Sequence, residues 1–134
     1  MKPINIDLGD YVSEDPFGDA LDEMHRRMEL AKTLGGTKHD SGKPDLSLVP
    51  RVLIEEAAKA LMFGEAKYGR YNFRKGFDSH RLVAAALRHL LAYQDGEDND
   101  SESNLTHLAH AAACIGMILQ CDKDGTLKDT RFKG

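Results

Sequence analysis

Between Asp95 and Glu102 the chain places five carboxylates in eight residues: Asp95, Glu97, Asp98, Asp100 and Glu102. Arg88 and His89 stand just before this run, and His107 and His110 follow it three residues apart, on one face of a helix. No Lys or Arg occurs between Arg88 and Lys123, so nothing local neutralises the acids. Oxygen donors at this density suit a hard divalent cation such as Mg²⁺ or Mn²⁺, and the histidines add nitrogen donors to the same neighbourhood. Glu56, Glu97, Asp98, Asp100, Glu102, His107 and His110 are the candidate ligands for two or three ions. The chemistry this suggests is metal-assisted attack on a phosphorylated substrate.

Four helices position these groups. Leu21, Met24, Met28, Ala31 and Leu34 recur at helical spacing over Asp19 to Leu34, and Gly35-Gly36 stops that run. Pro50 precedes a second helix over Arg51 to Tyr68, with Leu53, Ala57, Ala60, Leu61 and Phe63 on its apolar stripe. Ser79 or Asp78 caps a third, to about Tyr93, and Ser103 or Asn104 caps a fourth, to Gln120. The fourth is apolar almost all the way round, which predicts the most buried element. Residues 1–16 read as an arm and 122–134 as a polar tail. No strand-like alternation or internal repeat appears. The fold expected is all-α, a single domain built as a four-helix bundle.

Short connections make consecutive helices antiparallel neighbours. The start of the second helix then lies beside the end of the third and the start of the fourth. Glu55 or Glu56, His89, His107, His110 and the acidic loop converge at that pole. A second group of residues offers donors to phosphate and a ring for stacking: Lys67, Tyr68, Asn72, Arg74 and Lys75, in the basic stretch around G-R-Y-N-F-R-K-G. Hairpin geometry puts this loop at the far end of the second helix, so sharing a site with the acidic loop implies an oligomer. Arg88, on a helix that reads as buried, needs an anionic partner, either a structural carboxylate or a phosphate. Lys38, Asp40 and Lys43 are exposed at turn positions in the loop leading to the second helix.

Composition bounds the class. The chain has 134 residues, with 41% hydrophobic and 30% charged side chains, which excludes wholesale disorder. The net charge of −4 argues against nucleic acid as the main partner. Basic residues nevertheless outnumber acidic ones between Lys38 and Arg88, beside the acidic loop. The longest apolar stretch, Leu105 to Leu119, contains two histidines and is too short for a membrane span. The N-terminus lacks an apolar signal segment, so a cytoplasmic protein is expected. Cys114 and Cys121, one heptad apart on an apolar helix, read as buried and reduced.

Several separated stretches, in order, resemble one family. They are K-H-D-S-G-K-P-D-L-S-L-V-P, F-G-E-A-K-Y-G-R-Y-N-F-R-K-G, A-A-L-R-H-L-L-A-Y, G-E-D-N-D-S-E-S and H-L-A-H-A-A-A-C, together covering Lys38 to Gln120. The family is the phage-type dATP/dGTP diphosphohydrolases, MazG-like all-α nucleoside triphosphate pyrophosphatases. The resemblance implies hydrolysis of a purine deoxynucleoside triphosphate to the monophosphate and pyrophosphate with Mg²⁺ or Mn²⁺. In relatives this supplies dGMP for 2-aminoadenine nucleotides. The placement of the basic loop gives the expected partner, a second copy of the chain in a dimer or tetramer. The strict E-E-x-x-E pattern of the wider superfamily is absent, because Lys59 follows Glu55-Glu56, and Phe73 stands where relatives often carry Trp.

In the mechanism expected, carboxylates of the acidic loop and Glu56 hold the cations, and His89 or Glu97 accepts the proton of the attacking water. Lys and Arg donors neutralise the leaving pyrophosphate. Asp40 contacts the base. Two other classes fit part of the pattern. One is a His/Asp-type metal phosphohydrolase releasing triphosphate or phosphate. The other is a non-catalytic helical oligomerisation module.

Overall fold

The computed structural model describes residues 16–32, 35–36 and 38–134. Residues 1–15 of the expected arm, and Leu34 at the expected end of the first helix, lie outside them. The described residues fall into two compact units, one ending at Leu46 and the other spanning Ser47–Gly134. The first unit contains α1 (Pro16–Lys32). On it Glu23 pairs with Arg26 and Arg27, one turn away, at 3.1 and 3.0 Å. A turn follows in which the Lys43 N–H donates to the Asp40 carbonyl at 3.1 Å.

The second unit contains α2 (Arg51–Tyr68), α3 (Ser79–Gln94) and α4 (His107–Asp124), with a 3₁₀ turn at Asn72–Lys75. The all-α expectation holds. Among the described residues there is no strand, only the isolated bridge pairs Asp78 with Lys128 and Asn99 with Thr106.

α4 packs against both α2 and α3. It can do so because its contact faces carry small side chains. Ala109 is wholly buried against Ala60 and Ala113, and Leu105 closes that cluster. Each buried alanine methyl contributes only ~0.8 kcal/mol, so the gain comes from close approach of backbones rather than from large side chains. Contacts along the unit set the helix directions. Thr106 reaches Glu56 at one end and Asp124 reaches Arg74 at the other, so α2 runs alongside α4 in the same sense. The start of α3 bonds Lys128 while His89, near its end, meets His107, so α3 runs the opposite way.

Local chemistry sets the ends. Thr106, not Ser103 or Asn104, caps α4, its hydroxyl accepting from the Ala109 N–H at 3.1 Å. Ser103 and Asn104 belong instead to a turn, in which Asn104 adopts a left-handed φ of 56°. Asp78 precedes α3 without a side-chain cap. The first N–H groups of α3 are satisfied from far along the chain. Ser79 N–H donates to the Lys128 carbonyl at 2.8 Å, and His80 N–H donates to Thr130 Oγ1 at 3.1 Å. The polar segment beyond Gln120 therefore continues α4 to Asp124, turns at Gly125 (φ 72°) and returns to hold α3. Gly76 permits this return. Its φ is 102°, and a Cβ there would lie 2.2 Å from the Thr126 carbonyl oxygen.

Among the described residues, none of the helices is long and apolar enough to cross a membrane. Cys114 and Cys121 are buried free thiols, and burial pushes the Cys114 thiol above its ordinary value.

Candidate active site

The acidic loop is not a uniform patch of charge. It folds into a tight reversal, with the Asp100 N–H donating to the Leu105 carbonyl and the Asn104 N–H to the Asp100 carbonyl, both at 2.8 Å. The reversal turns one carboxylate of the five inward. Asp95, Glu97, Asp98 and Glu102 are exposed, whereas Asp100 is half-buried. Its Oδ2 accepts from the Ser103 N–H at 2.9 Å and the Ser103 hydroxyl at 3.0 Å. The Ser103 backbone N–H is the main cause holding the Asp100 carboxyl below the ordinary carboxylate range.

Three histidines meet beside it. Nδ1 of His89, from α3, lies 3.0 Å from Nδ1 of His107, the first residue of α4. The His89 ring also stacks on His110, centroids 4.6 Å apart and planes at 14°. His110 Nε2 lies 2.6 Å from the Ser103 hydroxyl, so the same serine holds both Asp100 and His110. On the outer side, His107 Nε2 is 3.3 Å from Glu97 Oε2. A carboxylate only accepts, so His107 donates from Nε2, which in the neutral ring leaves its Nδ1 with a lone pair towards His89. Burial, ahead of the neighbouring imidazoles, lowers the pKa of His89 and favours the neutral ring. One ligand atom each from His89, Asp100 and His107 lies within 4.8 Å of the others. Two imidazoles and a carboxylate at that spacing form a donor set that fits a divalent metal ion.

The cluster opens onto a cleft of about 1150 Å³ between α2 and α3, floored by α4. Phe63, Lys67 and Tyr68 come from α2 and Tyr71 and Phe73 from the loop after it. Arg81, Arg88 and His89 come from α3, and Asp100 and Glu102 from the acidic loop. One end is imidazole and carboxylate; the remainder sets cations and aromatic rings among alanine, leucine and methionine side chains. A nucleotide needs this combination, with cations for phosphate and flat apolar rings for a base.

The expected residues divide accordingly. His89, Asp100, His107 and His110 come together, with Glu97 on the outer side of His107. Asp98 meets the cluster through its backbone, its carbonyl accepting from the His107 N–H at 2.9 Å. Glu56 turns to Thr106 at 3.5 Å and pairs with Lys59. Lys67 does not lie remote from the acidic loop, as hairpin geometry suggested. It pairs with Glu102 within the same chain, because the reversal carries Glu102 back over the cleft. That pair raises the Lys67 pKa. Tyr68 and Asn72 line the cleft too, whereas Arg74 turns to Asp124 at 3.3 Å. Lys75 belongs to a smaller depression with Arg81 and Lys128. Arg88 is exposed, not buried as its helix suggested, and it too lines the cleft. Lys38, Asp40 and Lys43 belong to the first unit, where Lys38 Nζ is 3.9 Å from Asp40.

Reading the residues alone missed Ser103 as a structural link, since it appeared there only as a helix cap. The signal was present in Asp100-x-x-Ser103, the spacing at which a capping aspartate accepts from the backbone N–H three residues on.

No solved structure matches the chain. Over 83 residues it is 45% identical to a protein of Salmonella phage PMBT28 named dATP/dGTP diphosphohydrolase. That alignment takes in 62% of this chain but only 28% of the phage protein, so the chain spans less than a third of that relative. The family described as dATP/dGTP diphosphohydrolase, N-terminal, matches residues 33–131, which include α2, α3, α4 and the whole histidine–carboxylate cluster. With most of its length inside that match, this chain belongs to the dATP/dGTP diphosphohydrolase N-terminal family.

Proposed function

We propose that the chain is a metal-dependent pyrophosphohydrolase, a single domain that converts a purine deoxynucleoside triphosphate, dGTP or dATP, to the monophosphate and pyrophosphate. The observation that carries this reading is the His89–Asp100–His107 cluster at one end of a cleft lined by cations and aromatic rings. Asp100 and His107 would hold a divalent cation, Mg²⁺ or Mn²⁺, with Glu97, Asp98, Glu102, His110 and Glu56 as the remaining candidate donors. Such an ion supplies charge neutralisation at the phosphate oxygens and a more acidic water. Lys67 and Arg88 face the leaving pyrophosphate, and Tyr68 stacks on the base, with Asn72, Arg74 and Lys75 on the loop that follows α2 as further candidate contacts. Lys38, Asp40 and Lys43, in the first unit, are the remaining candidate substrate-binding residues, with the Asp40 carboxylate the one suited to accept from a guanine. Water oxygen bonds to the α or β phosphorus, the bridge between them breaks, and the proton passes to His89 or a loop carboxylate such as Glu97. As in the modified-DNA pathway implied for relatives, the product would be dGMP for 2-aminoadenine nucleotides, made in the host cytoplasm.

The decisive assay incubates the protein with each nucleoside triphosphate and Mg²⁺ or Mn²⁺ and identifies the products. Purine monophosphate plus pyrophosphate is expected. Triphosphate or orthophosphate would assign the protein to the His/Asp-type phosphohydrolases instead. If no purine nucleotide shifts its melting with Mn²⁺ present, a non-catalytic helical module is the better reading.

The active form would be a homo-oligomer, dimer or tetramer. Among the described residues, the buried apolar set of the second unit is alanine, cysteine and one leucine, while Ile54 (59% exposed), Met62 (66%), Leu91 (56%) and Leu119 (67%) remain at the surface. Apolar side chains left outside on three helices are a surface for a second copy. Light scattering after size exclusion is expected to give at least twice the 14.8 kDa chain mass; a monomer at micromolar concentration would rule this out.

A further inference from the structure

We infer that the His89–His107–Asp100 cluster is a nitrogen-rich ion site that selects a first-row transition ion over Mg²⁺, with Glu97 positioning its ligands. The inference deepens the metal-dependent reading above and rests on it. His89 Nδ1 and His107 Nδ1 are 3.0 Å apart. Bonds of ~2.1 Å at right angles put neighbouring donors of a six-coordinate ion about 3.0 Å apart, whereas a tetrahedral ion spreads them to about 3.4 Å. The separation of the two nitrogens matches that of adjacent donors, and a turn of both rings would aim their lone pairs at one ion in place of each other. Accepting the ion moves the His89 proton from Nδ1 to Nε2, with no proton lost overall. Asp100 supplies the third donor within 4.8 Å.

The surroundings are built to hold these atoms still. Glu97 accepts from His107 Nε2 at 3.3 Å, which fixes the tautomer that leaves Nδ1 bare. His110 stacks on His89 and fixes the plane of its ring. Ser103 ties His110 to Asp100. A carboxylate that orients a ligating histidine through its other nitrogen is a recurrent outer-shell partner of metal sites. Imidazole donors favour later transition ions, whereas Mg²⁺ favours oxygen and gives up water reluctantly. Affinity should accordingly rise from Mg²⁺ through Mn²⁺ to Co²⁺ and Ni²⁺. With His89 as a ligand, the proton of the attacking water goes to a loop carboxylate.

The test uses the full chain, freed of metal by chelation and without nucleotide. Co²⁺ binding is followed by visible absorption and Mn²⁺ binding by electron paramagnetic resonance. The wild type is expected to bind Co²⁺ more tightly than Mn²⁺, and ~100-fold excess Mg²⁺ should displace neither. Loss of a ligand in His89→Ala should weaken Co²⁺ binding by at least ~100-fold, and Glu97→Gln by roughly 10–100-fold. The Glu97 side chain is 69% exposed, so that variant will fold even if the histidine variant does not. Equal Co²⁺ binding by wild type and Glu97→Gln, or ready displacement of Co²⁺ by equimolar Mg²⁺, would overturn the inference. Because no nucleotide is present, a chain that binds Co²⁺ in this manner yet hydrolyses none keeps the ion site and loses only the hydrolase reading.

Discussion

Asp100→Asn is expected to lower pyrophosphate release from dGTP by roughly 10²–10⁴-fold while leaving the helix content at the parent value. The magnitude follows from the several kcal/mol of charge stabilisation that a bound ion supplies, at ~1.36 kcal/mol per decade of rate. Asparagine keeps the shape, and its carbonyl oxygen can still accept from the Ser103 N–H, so the reversal that places residue 100 survives. What it removes is the one loop charge drawn in beside His89 and His107. Asp95→Asn is the internal control. Its side chain is exposed, and its backbone N–H bond to the Leu91 carbonyl is one that the substitution leaves in place. A change of only a few-fold is expected there. Initial rates and far-ultraviolet circular dichroism on both variants settle the matter. Parental activity in Asp100→Asn, or an equal loss in Asp95→Asn, would show that the loop acts through its total charge instead.

Ala109→Leu should destabilise the second unit by about 1–3 kcal/mol, the usual cost of forcing extra methylenes into a filled core. Ala109 is 0% exposed and packs where α2 and α4 approach through Ala60 and Ala113. A leucine there has no free space to enter, so the two helices must separate or the side chain must leave its preferred rotamer. For a unit of this size the melting temperature falls by about 4–8 °C per kcal/mol. The same separation shifts α4 under the cleft, so activity should fall before the protein unfolds. Thermal melting followed by circular dichroism reads the effect, and an unchanged midpoint would mean that α4 is not held by small-residue contact.

Much of this was legible from residue types and spacing, because it is local. Helices follow from apolar periodicity, glycine stops and a proline start, and each of these acts within a few residues. α4 as the most buried element followed from its continuous apolar character. The meeting of His89, His107 and the acidic loop at one pole followed from short connections, since a short loop leaves adjacent helices few ways to pack.

Tertiary structure decided what depends on direction rather than identity. Five carboxylates in eight residues look alike in one dimension, yet a left-handed Asn104 and the Ser103 bond turn Asp100 inward and leave its neighbours in water. Lys67 looks remote from Glu102 if helices are counted as straight rods, and the loop's reversal brings the two into contact. The cap of α3 comes from Lys128 and Thr130, about fifty residues downstream, where no sequence rule for helix ends would look. Periodicity specifies which residues share a face. Which atom of a side chain faces which partner is set by backbone turns and distant hydrogen bonds, and those exist only once the chain has closed on itself.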